Sequence, residues 1–301
     1  MKSQVVEVVE YTDAVCSTAW GAEPQLRRLQ WRFGQHFRWR TVMGGLIGNA
    51  ATGNDAWDRI GAAVPMRKYW QRVWRLTGMP YPNPMHLMLQ STDPMGVAVK
   101  AAARQSTAVG DAVLRRFREQ IFIFGVGPQT PDEFAAATCG VEGLDQGQWR
   151  ADQMLPDVAA AYRADWLETR APNDYVRQLK HDSPMNGELK HSEGHDRYAL
   201  PTLIFRGATG DQTVAGWVRY EEYEEGLEAA LPGVTANPRP DPTPEAAFAR
   251  WPVLTSRELD FLCGANATPP AGVVSYDWGD GLVYFTAADA HARGLASTIA
   301  A

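Results

Sequence analysis

The N-terminal part of the chain alternates between short apolar runs, which favour strands, and one longer amphipathic run, which favours a helix. Residues 4–10 are rich in valine and end at polar residues, so we predict a strand there. Residues 20–35 place apolar side chains at helical spacing among arginines, with Pro24 in the expected first turn and Gly34 at the end. Residues 36–43 alternate again. The pattern predicts a strand, helix, strand unit.

The middle of the chain, residues 49–195, is dominated by helical periodicity. Alanine and arginine supply helix propensity, and recurring apolar residues supply a buried stripe. Strand patterning returns at residues 198–205 and 213–218, which we connect as a hairpin. An acidic helix is predicted at residues 219–231. We therefore expect an all-helical insertion between two halves of a strand-containing body.

The last part of the chain, residues 241–301, follows a proline-rich linker that marks a domain boundary. We call it the tail. The sequence pattern of the tail predicts two short helices, residues 244–251 and 255–264, and a hairpin at residues 273–285. A DNA-binding winged helix has this order, but three arginines against seven acids give the tail a net charge of −4, which repels phosphates. We expect an appendage that covers part of the body or supports self-association.

Charge and composition exclude several classes of function. The 301 residues carry a net charge of −6, so no global attraction favours nucleic acid or an anionic membrane surface. The N-terminus alternates apolar and acidic residues, unlike a signal peptide, and no apolar run of about 18 residues follows. We expect a cytoplasmic protein whose partners are small molecules or proteins.

Cys16 lies between the first predicted strand and the first predicted helix. The three cysteines are odd in number and far apart, which fits neither a disulfide framework nor zinc spacing. A helix that begins just after Cys16 aims its free N–H groups at the sulfur and favours the thiolate, the nucleophilic form. The alternative is that Cys16 is a small buried apolar residue. We interpret Cys139 and Cys263 as structural.

A second observation comes from Leu200, Pro201 and Thr202, because a proline inside a strand-like run implies an edge, a bulge or a cis bond. With the element order, this sequence resembles the DsbA-like branch of the thioredoxin superfamily, near FrnE-type oxidoreductases, 2-hydroxychromene-2-carboxylate isomerases and kappa-class glutathione transferases. The resemblance spans about residues 4–230. It implies an α/β protein: a thioredoxin fold with an inserted all-helical domain and a small C-terminal α+β appendage. The corresponding domains are residues 1–48 with 196–231, residues 49–195, and residues 241–301.

In that family the active site reads Cys-x-x-Cys at a helix start, opposite a cis-proline. The resemblance maps the first cysteine to Cys16, the intervening positions to Ser17 and Thr18, the resolving position to Ala19 and the cis-proline to Pro201. Because Ala19 has no sulfur, the usual dithiol cycle is unavailable. The resemblance implies that Cys16, Ser17 and Thr18 are catalytic. It also implies a set of substrate-binding residues: Ala19, Trp20, Leu200, Pro201 and Thr202.

Three functions remain open for this site. The leading hypothesis is a monothiol thiol-disulfide oxidoreductase, in which Cys16 exchanges with protein or small-thiol disulfides while Pro201 and Thr202 position the partner sulfur. The second is a thiol-dependent isomerase or transferase acting on an apolar small molecule. The third is a noncatalytic protein-binding adaptor. The resemblance implies no tightly bound cofactor, although a low-molecular-weight thiol would serve as cosubstrate, and it makes a homodimer our expectation.

Two further groups of side chains are interpreted as structural. His181, His191, Glu193 and His195 precede Pro201 in a predicted loop, which lacks the regular spacing of a metal site, so we expect a polar lip and no metal. The segment between the predicted helices holds methionine, tyrosine and histidine side chains that we assign to the core in preference to a ligand pocket: Met79, Tyr81, Met85, His86, Met88 and Met95.

The run around Trp70 and Trp74 combines aromatic and basic residues, a combination that nucleic-acid-binding proteins use for stacking. The basic residues flanking the two tryptophans are Arg67, Lys68, Arg72 and Arg75. Because the whole chain is acidic, we predict a buried tryptophan face with a solvated basic rim.

Overall fold

The computed structural model describes residues 5–48, 63–81, 91–180, 185, 187–192, 194–277 and 281–295, with side chains in the second range from residue 69 onward. The helices and strands of these ranges follow in chain order. They are β1 (Val6–Thr12), α1 (Ser17–Phe33), β2 (Phe37–Met43), α2 (Ala63–Thr77), α3 (Asp93–Ala103), α4 (Thr107–Phe122), α5 (Pro131–Ala137), α6 (Gln146–Asp152), α7 (Pro156–Thr169), α8 (Asp174–Gln178), β3 (Lys190–Ser192), β4 (His195–Arg197), β5 (Thr202–Gly207), β6 (Gly210–Ala215), α9 (Tyr220–Ala230), α10 (Pro244–Arg250), β7 (Val253–Thr255), α11 (Ser256–Cys263), β8 (Val273–Asp277), β9 (Leu282–Thr286) and α12 (Ala287–Ala292).

The body is built on a four-stranded sheet in the order β2-β1-β5-β6. β1 runs parallel to β2 and antiparallel to β5, which in turn pairs antiparallel with β6. Alternate residues of β1 enter opposite cores, because successive side chains of a strand point to opposite faces. Val8 packs with α1 and α9, whereas Tyr11 packs on the side of Cys16. The predicted thioredoxin fold with a helical insertion is confirmed.

Helix α1 begins at Ser17, three residues before the predicted start, and ends at Phe33. The earlier start has a local cause, since the Cys16 side chain caps the helix by accepting the N–H of Ala19. Pro24 consequently lies inside the helix, not in its first turn. A proline there removes one backbone hydrogen bond of the helix.

The segment between the two halves of the sheet contains α2 to α8. Apolar side chains of α2 to α7 share one core with Trp20 of α1, whereas Val176 of α8 packs on the side of Cys16. The histidine segment differs from the predicted loop, because Lys190–Ser192 and His195–Arg197 pair as an antiparallel hairpin. Strand β5 also begins later than predicted, at Thr202, directly after a cis Leu200–Pro201 peptide bond. Proline has no N–H to donate to a strand ladder, which fits a position just outside it. The division of the chain into three domains stays a prediction.

The tail contains more structure than its sequence pattern predicts. β7 and β8 flank β9 in a three-stranded sheet, and α12 follows it. The tail packs on the body through α11, which contacts α1. The Thr255 hydroxyl also contacts the Met79 sulfur at 3.3 Å. Within the described ranges, no helix combines the length and apolar character needed to span a bilayer.

Candidate functional site

Cys16 lies at the junction of β1 and α1, where the chain leaves the sheet and its sulfur caps the helix. The Ala19 N–H donates to Cys16 Sγ at 3.4 Å. The thiol in turn donates to the Leu200 carbonyl oxygen at 3.3 Å, which brings together two segments 184 residues apart in the chain. The predicted contact between the helix start and the sulfur is therefore confirmed.

Thr18 completes the contacts around the sulfur. Its hydroxyl donates to the Leu200 carbonyl oxygen at 2.8 Å and lies 3.2 Å from Cys16 Sγ. We call Cys16, Thr18, Ala19 and Leu200 the thiol site. The Leu200 carbonyl oxygen thus accepts hydrogen bonds from both the Cys16 thiol and the Thr18 hydroxyl. The backbone of Leu200, which faces the sulfur, is therefore already hydrogen-bonded within the chain.

The Cys16 residue is 6% exposed. Burial raises the pKa of the Cys16 thiol above its ordinary value, and the nearby Asp13 carboxylate acts in the same direction. The Thr18 hydroxyl and the Ala19 N–H lower this pKa, but burial outweighs them. The helix start therefore acts on the thiol in the predicted direction, but burial has the larger effect, and the pKa of Cys16 lies above its ordinary value. The alternative interpretation of Cys16 as a buried residue fits the structure.

Ser17 contributes its backbone to the contact between the body and the insertion. Ser17 is buried, and its carbonyl oxygen accepts the Tyr81 hydroxyl at 2.7 Å. Tyr69, on α2, lies at the surface with its hydroxyl in contact with the Thr18 and Ser17 side chains. The two tyrosines place an aromatic wall beside Cys16, and sequence reasoning singled out only Tyr81.

Three of the predicted substrate-binding residues are engaged elsewhere. Trp20 is fully buried, and its ring stacks on Phe122 while its Nε1 donates to the Pro80 carbonyl at 2.9 Å. The Pro201 carbonyl accepts the Gly216 N–H at 2.8 Å. Thr202 is buried between two strands, in register with Tyr11 of β1 and Ala215 of β6. The structure therefore gathers Cys16, Thr18, Ala19 and Leu200, but places the Trp20 ring in the helical core.

Asp13 and Arg118 are buried ionisable neighbours of the thiol site that sequence reasoning missed. Asp13 accepts the backbone N–H groups of Val15 at 3.1 Å and Leu46 at 3.0 Å, which fixes the turn before Cys16. Arg118, on α4, donates to Glu23 and to the Thr12 hydroxyl. A sequence signal did exist for Asp13, because an aspartate that ends an apolar strand commonly hydrogen-bonds the following turn.

A second buried polar cluster, the tail junction, joins α1, α4 and the tail. Its members are Glu23, Arg27, Arg115, Arg116, Glu119, Glu258, Asp289 and Arg293. Glu258 of the tail pairs with Arg27 at 3.1 Å and with Arg115 at 2.8 Å, and its side chain has no exposed surface. Burial alone would raise the pKa of Glu23, but the neighbouring arginines lower it to about 2.

The histidine hairpin and the methionine segment show structural contacts in their described parts. His191 Nδ1 lies 3.2 Å from Asp196, and the His195 ring meets Trp166 edge to face. Met79, Tyr81 and Met95 are buried in the core, as predicted; His181, Met85, His86, Met88 and Glu193 lie outside the described residues. Among the residues that the structure describes, no group of three or more acidic, histidine or cysteine side chains is placed to hold a metal ion.

The sheet order, the cysteine at the start of α1 and the proline before β5 define a thioredoxin-fold protein. A family model described as Thioredoxin matches residues 10–170, and the chain belongs to this family. Among solved structures, the cytosolic disulfide reductase DsbM of Pseudomonas aeruginosa superposes with a TM-score of 0.52 at 17% identity. That match covers 75% of this chain and 98% of DsbM, so about a quarter of this chain has no counterpart in it.

The relatives found by sequence similarity are named as adapter proteins, not as disulfide reductases. The ClpXP adapter protein SpxH of Bacillus cereus is 23% identical over 263 residues, which cover 85% of this chain and 79% of the relative. SpxH of Shouchella clausii is 27% identical over 262 residues, covering 84% and 76%. The match covers 85% of this chain, which is about 256 of its 301 residues. The body together with its helical insertion ends at Leu231 and so contains only 231 residues. The similarity to these adapters therefore extends beyond the body toward the tail.

Proposed function

We propose that this protein is a protein-binding adaptor built on a thioredoxin fold, which brings a client protein to a ClpXP-type protease. The observation that carries the proposal is the state of the thiol site. The Cys16 sulfur is buried and hydrogen-bonded to the Leu200 carbonyl, and burial raises the pKa of the thiol. The position that would hold a resolving cysteine is occupied by Ala19. We regard Cys16 as a packing and capping residue of the scaffold.

The chemistry of disulfide exchange explains why this state favours an adaptor. Exchange requires a thiolate with access to the partner disulfide, and its rate follows the thiolate fraction and the exposure of the sulfur. Burial opposes both requirements at Cys16. After a mixed disulfide forms, a second thiol must release it, and Ala19 supplies none. An adaptor needs the scaffold but none of these properties.

The tail gives independent support. The SpxH relatives, which are named adapters, match this chain over more residues than the body contains, whereas the reductase DsbM leaves about a quarter of the chain without a counterpart. In this protein the tail is joined to the body through buried pairs of opposite charge, such as Glu258 with Arg115. A client-binding protein would use such an attachment to hold body and tail in one orientation. We keep the predicted cytoplasmic location for this function.

Monothiol exchange is the second candidate, because the Ala19 N–H points at Cys16 Sγ. In that reaction the Cys16 thiolate attacks a disulfide and releases one partner as a thiol. An external thiol then attacks the mixed disulfide and regenerates Cys16. The positive end of α1 would stabilise the thiolate if the sulfur became exposed.

A turnover experiment separates the two candidates. In cells that carry this gene, protein half-lives are measured by mass spectrometry after translation is stopped, in wild-type, gene-deletion and ClpX-deletion strains. We expect a small set of proteins to become long-lived in both deletion strains. Returning the gene with Cys16→Ser should restore their turnover as well as the wild-type gene does, and Cys139→Ser, at an exposed cysteine, is the matched control.

Each result decides between the candidates. If no protein is stabilised in both deletion strains, the adaptor proposal is wrong. If Cys16→Ser folds with a wild-type unfolding midpoint but leaves the clients stable, while Cys139→Ser restores turnover, the thiol is required and monothiol exchange is the better account.

A further inference from the structure

We propose that the exposed face of α2 is the docking surface for an acidic, amphipathic segment of the client protein. The surface, which we call the α2 strip, consists of Tyr69, Arg72, Arg75 and Leu76. The inference rests on the proposed adaptor function, since it names the surface through which the adaptor holds its client.

The two faces of α2 differ sharply in burial. Trp70, Val73 and Thr77 are spaced by three and four residues and are buried against the insertion core and α1. Beside this buried face, Tyr69 is 37% exposed and Leu76 is 49% exposed, seven residues apart and thus on one side of the helix. Large apolar side chains exposed together beside charged ones are typical of protein interaction sites.

The charge of the strip is unusual for this protein. Arg72 and Arg75 form no ion pair, carbonyl hydrogen bond or cation–π contact with the residues that the structure describes, although Arg72 lies close enough to the Tyr69 hydroxyl to lower its pKa. The other described arginines are paired in one of these ways. Two exposed guanidinium groups on one helix, with no acidic partner among the described residues of a chain of net charge −6, form a local basic site that fits a partner with carboxylates.

The strip lies between the thiol site and the tail. At one end, the Tyr69 hydroxyl contacts the Thr18 side chain. At the other end, the carbonyl of Thr77 accepts the Arg257 side chain of the tail at 3.2 Å. A segment bound here would therefore meet both the body and the tail.

The size and chemistry of the strip define its occupant. Residues 69–76 of a helix extend about 12 Å, which matches two to three turns of a bound helix. Carboxylates at helical spacing would pair with Arg72 and Arg75, and an apolar side chain between them would cover Leu76 and the Tyr69 ring. Such a segment carries acidic and apolar residues at three- and four-residue intervals.

The first experiment maps what touches the strip. The full chain is expressed in its own cells with the photo-crosslinking residue p-benzoylphenylalanine in place of Leu76, and in a matched control in place of Met154, which is 84% exposed on a different element. We expect position 76 to crosslink to acidic amphipathic segments of proteins that the gene deletion stabilises. Crosslinks identical to those at position 154, or to a second copy of this chain or nucleic acid, would overturn the proposal.

The second experiment measures the contribution of charge. A fluorescein-labelled peptide with the crosslinked sequence is titrated with the full chain at several salt concentrations. We expect R72E/R75E to bind it about tenfold more weakly and with a flatter salt dependence, whereas R72K/R75K retains most of the affinity. R150E/K180E reverses the same number of exposed charges outside α2 and is the matched control.

Turnover distinguishes failure of the surface from failure of the function. If the gene deletion stabilises clients but R72E/R75E restores their degradation like the wild type, the α2 strip is not the docking surface, although the adaptor function stands. If the deletion stabilises no client, the adaptor function itself is wrong. We expect R72E/R75E to leave clients as stable as the deletion does and R150E/K180E to restore their degradation.

Discussion

The thiol site and the tail junction are both buried and polar, but they differ in what their groups can do. At the thiol site, one ionisable group, Cys16, is surrounded by a hydroxyl, an amide and a carbonyl, and burial keeps it neutral. At the tail junction, neighbouring arginines lower the pKa of Glu23 to about 2, and the Glu258 carboxylate pairs with Arg27 and Arg115.

This difference indicates where the chain uses its polar chemistry. At the thiol site, burial raises the pKa of the sulfur, whereas the contact between body and tail consists of paired ions. A buried ion pair adds little net stability compared with apolar packing, but it leaves a buried charge unpaired when one partner is removed. The tail junction therefore specifies how the tail docks, and the thiol site specifies how α1 begins.

The most damaging single change to this arrangement is Glu258→Gln. Glutamine can keep the helix-capping contact with the Thr255 N–H, now 2.8 Å from the Glu258 carboxylate, but it leaves Arg27 and Arg115 without that charge. We expect a loss of about 3–5 kcal/mol in the free energy of unfolding, the usual effect of breaking a buried pair. Urea unfolding followed by circular dichroism measures it.

Glu133→Gln is the matched control for this prediction. Glu133 occupies the same position in a Thr-x-x-Glu capping box at the start of α5, but it lies at the surface and pairs with no arginine in the described structure. Its unfolding midpoint should stay close to that of the wild type. Equal losses for the two variants would mean that the capping box, and not the ion pairs, stabilises the tail junction.

A smaller effect is expected where α2 crosses α1 beside the thiol site. A Cβ atom at Gly21 would lie 2.5 Å from Cγ2 of Thr77, a buried side chain whose hydroxyl accepts the Met79 N–H. Such overpacking costs about 1–3 kcal/mol, more than the roughly 1 kcal/mol that alanine gains over glycine inside a helix. We therefore expect Gly21→Ala to lower the thermal unfolding midpoint.

Gly147→Ala separates the steric effect from helix propensity. Gly147 lies in α6, and a Cβ atom there would meet only Asp145 Oδ1, at an ordinary 3.4 Å. Without a clash, the substitution should raise the midpoint, because alanine is the better helix former. If Gly21→Ala raises it as well, α1 and α2 are packed less tightly than the structure indicates.

Local sequence patterns predicted the scaffold better than the tail. Valine runs, arginine-rich amphipathic runs and a proline at the start of a strand carry their information within about ten residues, so β1, α1, β2 and the position of Pro201 followed from the sequence. The three-residue strand β7 and helix α12 were missed, since their formation depends on pairing with β9 and packing in the tail.

The burial of Cys16 and the tail junction could not be read from the sequence for a related reason. Arg27 and Glu258 are separated by more than two hundred residues, and each alone has the appearance of a surface charge. Likewise, the sequence places Cys16 at a helix start, but the groups that bury its sulfur come from Leu200 and the insertion. Helix position predicted the hydrogen bond, whereas tertiary packing decided the pKa.

The smallest expected effect comes from a substitution beside Cys16, which tests whether burial determines the pKa of the thiol. Thr18→Val removes a hydroxyl that donates to Leu200 and lowers the pKa of Cys16, while keeping the shape of the side chain. We expect a loss of about 0.5–1.5 kcal/mol in the free energy of unfolding, as for one buried hydrogen bond. Because a higher thiol pKa leaves less thiolate at a given pH, alkylation of Cys16 should also become slower.

Alkylation rates with iodoacetamide, measured from neutral pH to above pH 9 in a Cys139→Ser, Cys263→Ser background, provide the readout. In the parent the rate should still rise at pH 9.0, the ordinary value for a cysteine, because the pKa of Cys16 lies higher. Thr138→Val is the control, since the Thr138 hydroxyl is also buried and donates to a carbonyl, Phe134, at 2.9 Å. It should lose similar stability without changing alkylation. A parent rate that levels off near neutral pH would mean that the helix start, and not burial, sets the charge of this sulfur.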